Sequence, residues 1–185
     1  VDCGQCIRIC QYHAKIAMTD PFEDIYKFEH RIALPAPSLY GQIRHLEDIG
    51  IVLDALKEIG FTGVFEVARG ADVATRAIQL RLRQPDRLRP LISSACPTIT
   101  RIIQVRFPSL IHHIIDVRQP VEIAAALARV EYAREHGVKP EDIGVFFITP
   151  CAAKMTSIRN PLGQEKSDID GAISMADVFA RLMSH

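Results

Sequence analysis

The chain has 185 residues, with 22 Lys plus Arg against 22 Asp plus Glu, so its formal net charge is zero. That balance argues against a protein whose task is to coat nucleic acid or an anionic membrane, since both recruit an excess of positive charge. Hydrophobic residues make up 48% of the chain, and no run approaches the roughly 20 apolar residues that span a bilayer, so one soluble domain, or a domain with a small appendage, is expected.

The chain opens with Cys3-Gly-Gln-Cys6-Ile-Arg-Ile-Cys10, the last three quarters of the bacterial iron–sulfur run C-x2-C-x2-C-x3-C. By the same spacing the first cysteine of the run would fall one residue before Val1. The chain therefore reads as an excised piece of something longer, and this cluster as one with three of its four thiolates. A zinc site, with His13 as the nearby further donor, and a reactive Cys-x-x-Cys pair are the competing readings. Gln11 stands where the run usually has proline. Residues 1–29 are expected to form this cysteine loop, a short helix and a polar connector, turning at Asp20-Pro21.

From there the pattern alternates. Short apolar strands are predicted over 32–36, 63–67, 91–94, 144–148 and 171–173, each as expected of a strand covered on both faces. Helices are predicted over 49–59, 71–83, 98–105, 121–135 and 175–182, with Gly60 and Gly137 as stops and Pro120 as a start. This order implies an α/β fold with a mainly parallel, doubly wound sheet, whose sites lie beyond the carboxyl ends of its strands.

Three unusual segments each follow a predicted strand: Leu34-Pro-Ala-Pro-Ser38, Ser93-Ser-Ala-Cys-Pro97 and Thr149-Pro-Cys-Ala-Ala-Lys154. They are expected on one edge of the sheet. Pro97 would open a helix directly after Cys96, where the helix dipole favours a thiolate. Cys151 follows a strand in the same way, with Lys154 placed to set a cation beside an anion. Singly, each cysteine reads as a small buried hydrophobe; their matched contexts read as a site. Five cysteines, an odd total, do not suit a secreted disulfide framework and point to a reducing compartment, the cytoplasm. Arg76, Arg81, Arg83, Arg87 and Arg89 read as solvated surface, and His112 and His113 as part of a half-buried helix.

These segments resemble the catalytic domain of iron-only (FeFe) hydrogenases, preceded by the tail of a ferredoxin-like 4Fe-4S module. Ser93-Ser-Ala-Cys96-Pro97 is similar to the family's first signature, usually T-S-C-C-P, and Thr149-Pro-Cys151-Ala-Ala-Lys154 to its second, usually M-P-C-x-x-K. Leu34-Pro-Ala-Pro-Ser38 resembles the loop that covers the active-site cluster. The resemblance implies residues 1–29 as the end of a ferredoxin-like module holding a 4Fe-4S cluster at Cys3, Cys6 and Cys10. It implies residues 30–185 as the first, incomplete part of the hydrogenase domain. There Cys96 and Cys151 would help hold a cubane joined to a two-iron site, Lys154 and Ser38 would contact a cyanide, and Ala36 and Pro37 would form the wall beside it.

Departures qualify the function that the resemblance implies. The family's third signature, with two more cysteines, is not found before His185, so the chain offers at most half the cubane's ligands. Ala95 replaces the cysteine that would relay protons, Thr149 the usual methionine, and Ser157 a frequent glutamate. The helix after Asp72 carries no relay acid, with Ala77 and Ile78 in its place. This set suggests a sensory branch, reporting hydrogen or redox state to an attached PAS-type, kinase or phosphatase domain, with a redox partner such as ferredoxin. A working hydrogenase with an unusual proton route and an iron–sulfur scaffold protein are the alternatives, and neither nucleic acid nor membrane is expected as a partner.

Overall fold

The strand Ile143-Gly-Val-Phe-Phe-Ile-Thr149 is buried along its whole length. An unbroken apolar run of this kind suits only a strand with cover on both faces. It becomes the inner β3 of a four-stranded parallel sheet in the order β2-β1-β3-β4, with β1 at His30–Pro35, β2 at Gly63–Val64 and β4 at Gly171–Ser174. The registers align His30 with Ile143 through Pro35 with Ile148, and Phe146 with Gly171 through Thr149 with Ser174. The structure, a computed structural model, describes residues 2–85 and 88–184, which leaves Val1, Asp86, Arg87 and His185 outside it.

Around the sheet lie α1 at Gln5–Arg8, α2 at Ile49–Glu58, α3 at Val67–Leu82, α4 at Pro97–Arg106, α5 at Pro120–His136, α6 at Ala152–Arg159 and α7 at Met175–Ser184. Gly60 and Gly137 end α2 and α5 with positive φ, and Pro120 opens α5, as the sequence predicts. The α3 and α5 axes come close because small residues meet there: a Cβ on Gly70 would lie 2.2 Å from the Pro120 carbonyl oxygen and 2.8 Å from the Ala124 Cβ. Arg129 of α5 holds the amino-terminal side of the sheet, donating to the Asp170 carboxylate at 2.6 Å and to the Pro140 and Asp168 carbonyls. No helix among the described residues is long and apolar enough to cross a membrane.

Three differences from the sequence expectation have physical causes. The segment 91–94 is not a sheet strand; it forms one bridge, Ile92 with Ile114. Its apolar run is two residues long, Leu91 and Ile92 are only half-buried, and the sheet's place beside β3 is filled by β4. The second strand stops at Val64, because α3 begins at Val67, ahead of the predicted start, with Glu66 in its N-cap position. The helix α6, read as loop, forms because Ala152-Ala-Lys-Met has high helix propensity and follows the strand directly.

The N-terminal segment is tied to this body. Phe22 and Ile25, in a 3-10 helix, are buried with the core. The Asp20 amide donates to the Ala172 carbonyl at 2.8 Å, and its carboxylate accepts from Ala172 N–H and from Arg159, both at 2.7 Å. Asp20 thus occupies the open edge of β4.

Candidate functional site

The carboxyl ends of β1 and β3 lie side by side, so their trailing loops share one edge of the sheet. After β1, the Ala36 amide donates to the Ile148 carbonyl at 2.9 Å, and Pro37 begins a 3-10 helix through Gln42. Pro37 and Ser38 are both exposed there. After β3, Cys151 takes the position that caps α6. Cys96, arriving from the bridged segment, takes the same position on α4, with Pro97 as the first helical residue. Their backbones match, with φ, ψ of −104°, 108° at Cys96 and −97°, 107° at Cys151. Neither sulfur caps its own helix, so each is left for another partner at the positive end of a helix dipole.

Lys154, one turn along α6, joins the two loops. Its ammonium donates to the Ala95 carbonyl at 3.4 Å. Burial pushes its pKa down, and the neighbouring Cys151, Cys96 and Glu122 oppose that shift. A partly dehydrated cation near two thiols favours an anionic guest. The third segment thus reaches the expected edge without a sheet strand of its own. Upstream hydroxyls brace both loops: Ser93 Oγ accepts from the Ala95 amide at 3.3 Å, and Thr149 Oγ1 from the Cys151 amide at 3.2 Å. On the same edge Tyr40 donates to Glu66 at 3.4 Å, and burial, then the Glu66 charge and this bond, push the phenol's pKa above its ordinary range.

Sequence reasoning missed the support behind Lys154. Glu122, 4% exposed, accepts from Ser167 Oγ at 2.7 Å and from the Asp168 amide at 2.9 Å, with Arg118 at 3.7 Å. Gln119 donates to Ser157 Oγ at 3.1 Å. Arg118, Gln119, Glu122 and Ser157 line a cavity of about 240 Å³ that reaches Ser94. In sequence, Glu122 is an ordinary acid in a first helical turn, and nothing there distinguishes it.

Of the N-terminal cysteines Cys6 lies in α1, Cys3 before it and Cys10 after it, with Cys3 and Cys6 exposed and Cys10 half-buried. Among the described residues no three His, Cys, Asp or Glu side chains are placed to hold one ion. The cysteine loop rests on α6 just beyond Cys151, where a Cβ on Gly4 would lie 3.7 Å from that of Ala152, and Asp2 pairs with Arg101 at 3.4 Å. His113, half-buried in a 3-10 helix at Pro108–His113, hydrogen-bonds the Pro90 carbonyl at 2.7 Å, while His112, against expectation, is exposed.

The family model described as "Iron only hydrogenase large subunit, C-terminal domain" matches residues 29–184. The chain belongs to the iron-only hydrogenase large-subunit family. Iron hydrogenase 1 of Clostridium pasteurianum is 26% identical over 164 residues, covering 81% of this chain and 28% of that protein. A cytosolic Fe-S cluster assembly factor NAR1 homolog of Schizosaccharomyces japonicus is 31% identical over 95 residues, 50% of this chain and 18% of that one. A structure of [FeFe]-hydrogenase HydA1 from Chlamydomonas reinhardtii superposes with a TM-score of 0.70 at 21% identity, over 89% of this chain and 44% of its own. The chain thus spans under a third of these curated relatives and under half of the solved one. Membership implies an iron–sulfur cofactor, and the donor set suits one in part: two free thiols at helix starts are potential iron ligands, and the half-buried Lys154 ammonium near them is a cation for an anionic group.

Proposed function

We propose that this iron-only hydrogenase domain holds an active-site cubane through Cys96 and Cys151 and serves hydrogen or redox sensing. The observation that carries the reading is Lys154, close enough to feel both thiols and bonded to the carbonyl of Ala95, a residue with nothing to titrate. Lys154 holds the anionic guest in place; Ala36, Pro37 and Ser38 border it. When bound, the cubane supplies one-electron redox chemistry. The loop of Cys3, Cys6 and Cys10 holds a second 4Fe-4S cluster, and its seat against α6 favours electron exchange between the two. A ferredoxin is the redox partner in this reading, and a signalling domain of PAS, kinase or phosphatase type receives the output.

The test is iron and sulfide content after purification without oxygen, in wild type and in cysteine variants. Cys96→Ser and Cys151→Ser should each remove the same cluster, leaving the one that Cys6→Ser removes. Cluster content indifferent to both Cys96→Ser and Cys151→Ser would overturn the assignment. The similarity to an assembly factor favours a second reading, delivery of clusters to other proteins. It predicts rapid transfer from the loaded protein to an apo-ferredoxin, which a resident sensor cluster resists.

A further inference from the structure

We infer that Thr149 is a positioning residue for Cys151, and that its hydroxyl keeps the Cys151 amide away from sulfur. The inference rests on the reading of Cys151 as a cluster ligand. Thr149 is the last residue of β3 and is 1% exposed. Its Oγ1 accepts the Cys151 N–H at 3.2 Å, across the two-residue step that aims the cysteine out of the strand and onto α6. The Cys151 carbonyl is engaged as well, accepting from the Lys154 and Met155 amides at 3.1 Å each. Both backbone polar groups of Cys151 are therefore committed, and its sulfur is left uncommitted.

Amide donors near sulfur stabilise the reduced, more negative cluster and raise its potential. An amide committed to a hydroxyl is withheld from that role. In the family's usual signature this position is a methionine, whose thioether is only a weak acceptor. The hook is therefore a feature of this chain's own sequence, and it biases the cluster toward the oxidised state.

Thr149→Val removes the acceptor and keeps the shape, while Thr149→Ser keeps the acceptor. In a Cys3→Ser, Cys6→Ser background only the cluster at Cys96 and Cys151 reports. There Thr149→Val should raise the midpoint potential by about 59 mV, a tenfold change in the one-electron ratio, and Thr149→Ser should restore the wild-type value. In the cluster-free protein, exchange of the Cys151 amide hydrogen should quicken about five- to tenfold in Thr149→Val alone, as expected for loss of one hydrogen bond. Cluster uptake by both proteins with equal potentials would overturn this inference alone, as would unchanged amide exchange. Failure of the parent background itself to take up iron and sulfide would overturn the cluster reading, and this inference with it.

Discussion

Ala95 gives Lys154 a carbonyl and offers no proton. A positioned acid contributes roughly 10²- to 10⁴-fold to proton transfer, and the Ala77 and Ile78 side chains of α3 do not replace it. Hydrogen evolution by the cluster-loaded protein should therefore be slow, and Ala95→Cys should recover only part of that factor. Wild-type evolution at ordinary hydrogenase rates would refute the sensory reading, and full rescue by the one change would refute the wider loss. Tyr40 gives a separate prediction. Its pKa is raised in the fold, so the stability it contributes is whole below the ordinary tyrosine value near 10 and is lost as pH rises beyond it. Urea unfolding between about pH 9 and 11 should show that loss in wild type and a shallower one in Tyr40→Phe. At this scale the cysteines were legible because their contexts repeat, each ahead of a helix with a strand-like run before it. Glu122 was not, because only the folded chain brings Ser167, Asp168 and Arg118 around it.

Among the elements, the crossing of α3 and α5 depends on the missing side chain of Gly70. Gly70→Ala places a methyl 2.2 Å from the Pro120 oxygen and 2.7 Å from the Ala124 nitrogen. These are backbone atoms that cannot swing aside, so the helices must part, at a cost of about 3 kcal/mol, the upper end of ordinary overpacking. Denaturant unfolding measures it, and a cost below about 0.5 kcal/mol would contradict the close crossing. The apolar run over 144–148 announced a strand covered on both faces, and the structure extends it to Ile143–Thr149, whereas 91–94 looked alike over a shorter stretch and failed. Periodicity reports burial, and a half-buried bridge against Ile114 buries nearly as much as a short strand. Helix α6 was hidden because the chemistry-bearing loop was read past its true end at Cys151.

Across the molecule, one aspartate fastens the N-terminal segment to the sheet. Asp20→Ala removes the acceptor for the part-buried Ala172 N–H and for the exposed Arg159 guanidinium. It should lower stability by about 1–3 kcal/mol and open residues 11–19 to proteolysis, as limited digestion can show; an unchanged digestion pattern would mean that Phe22 and Ile25 hold the segment unaided. The overall architecture was readable because alternating strands and helices leave few topologies, and the edge shared by the two cysteine loops followed from it.

The two cysteines hang from unequal supports. Cys151 continues a strand buried at all seven positions, while Cys96 is exposed and follows a segment joined to its neighbour by a single bridge. The site is thus built like a vice with one fixed jaw and one sliding jaw. Were the two thiols to hold a cluster as proposed, the fixed jaw would limit the geometric reorganisation that slows electron exchange, and the less supported jaw would take up iron last and let go first under oxidative damage. Alkylation of partly degraded protein should accordingly label Cys96 ahead of Cys151.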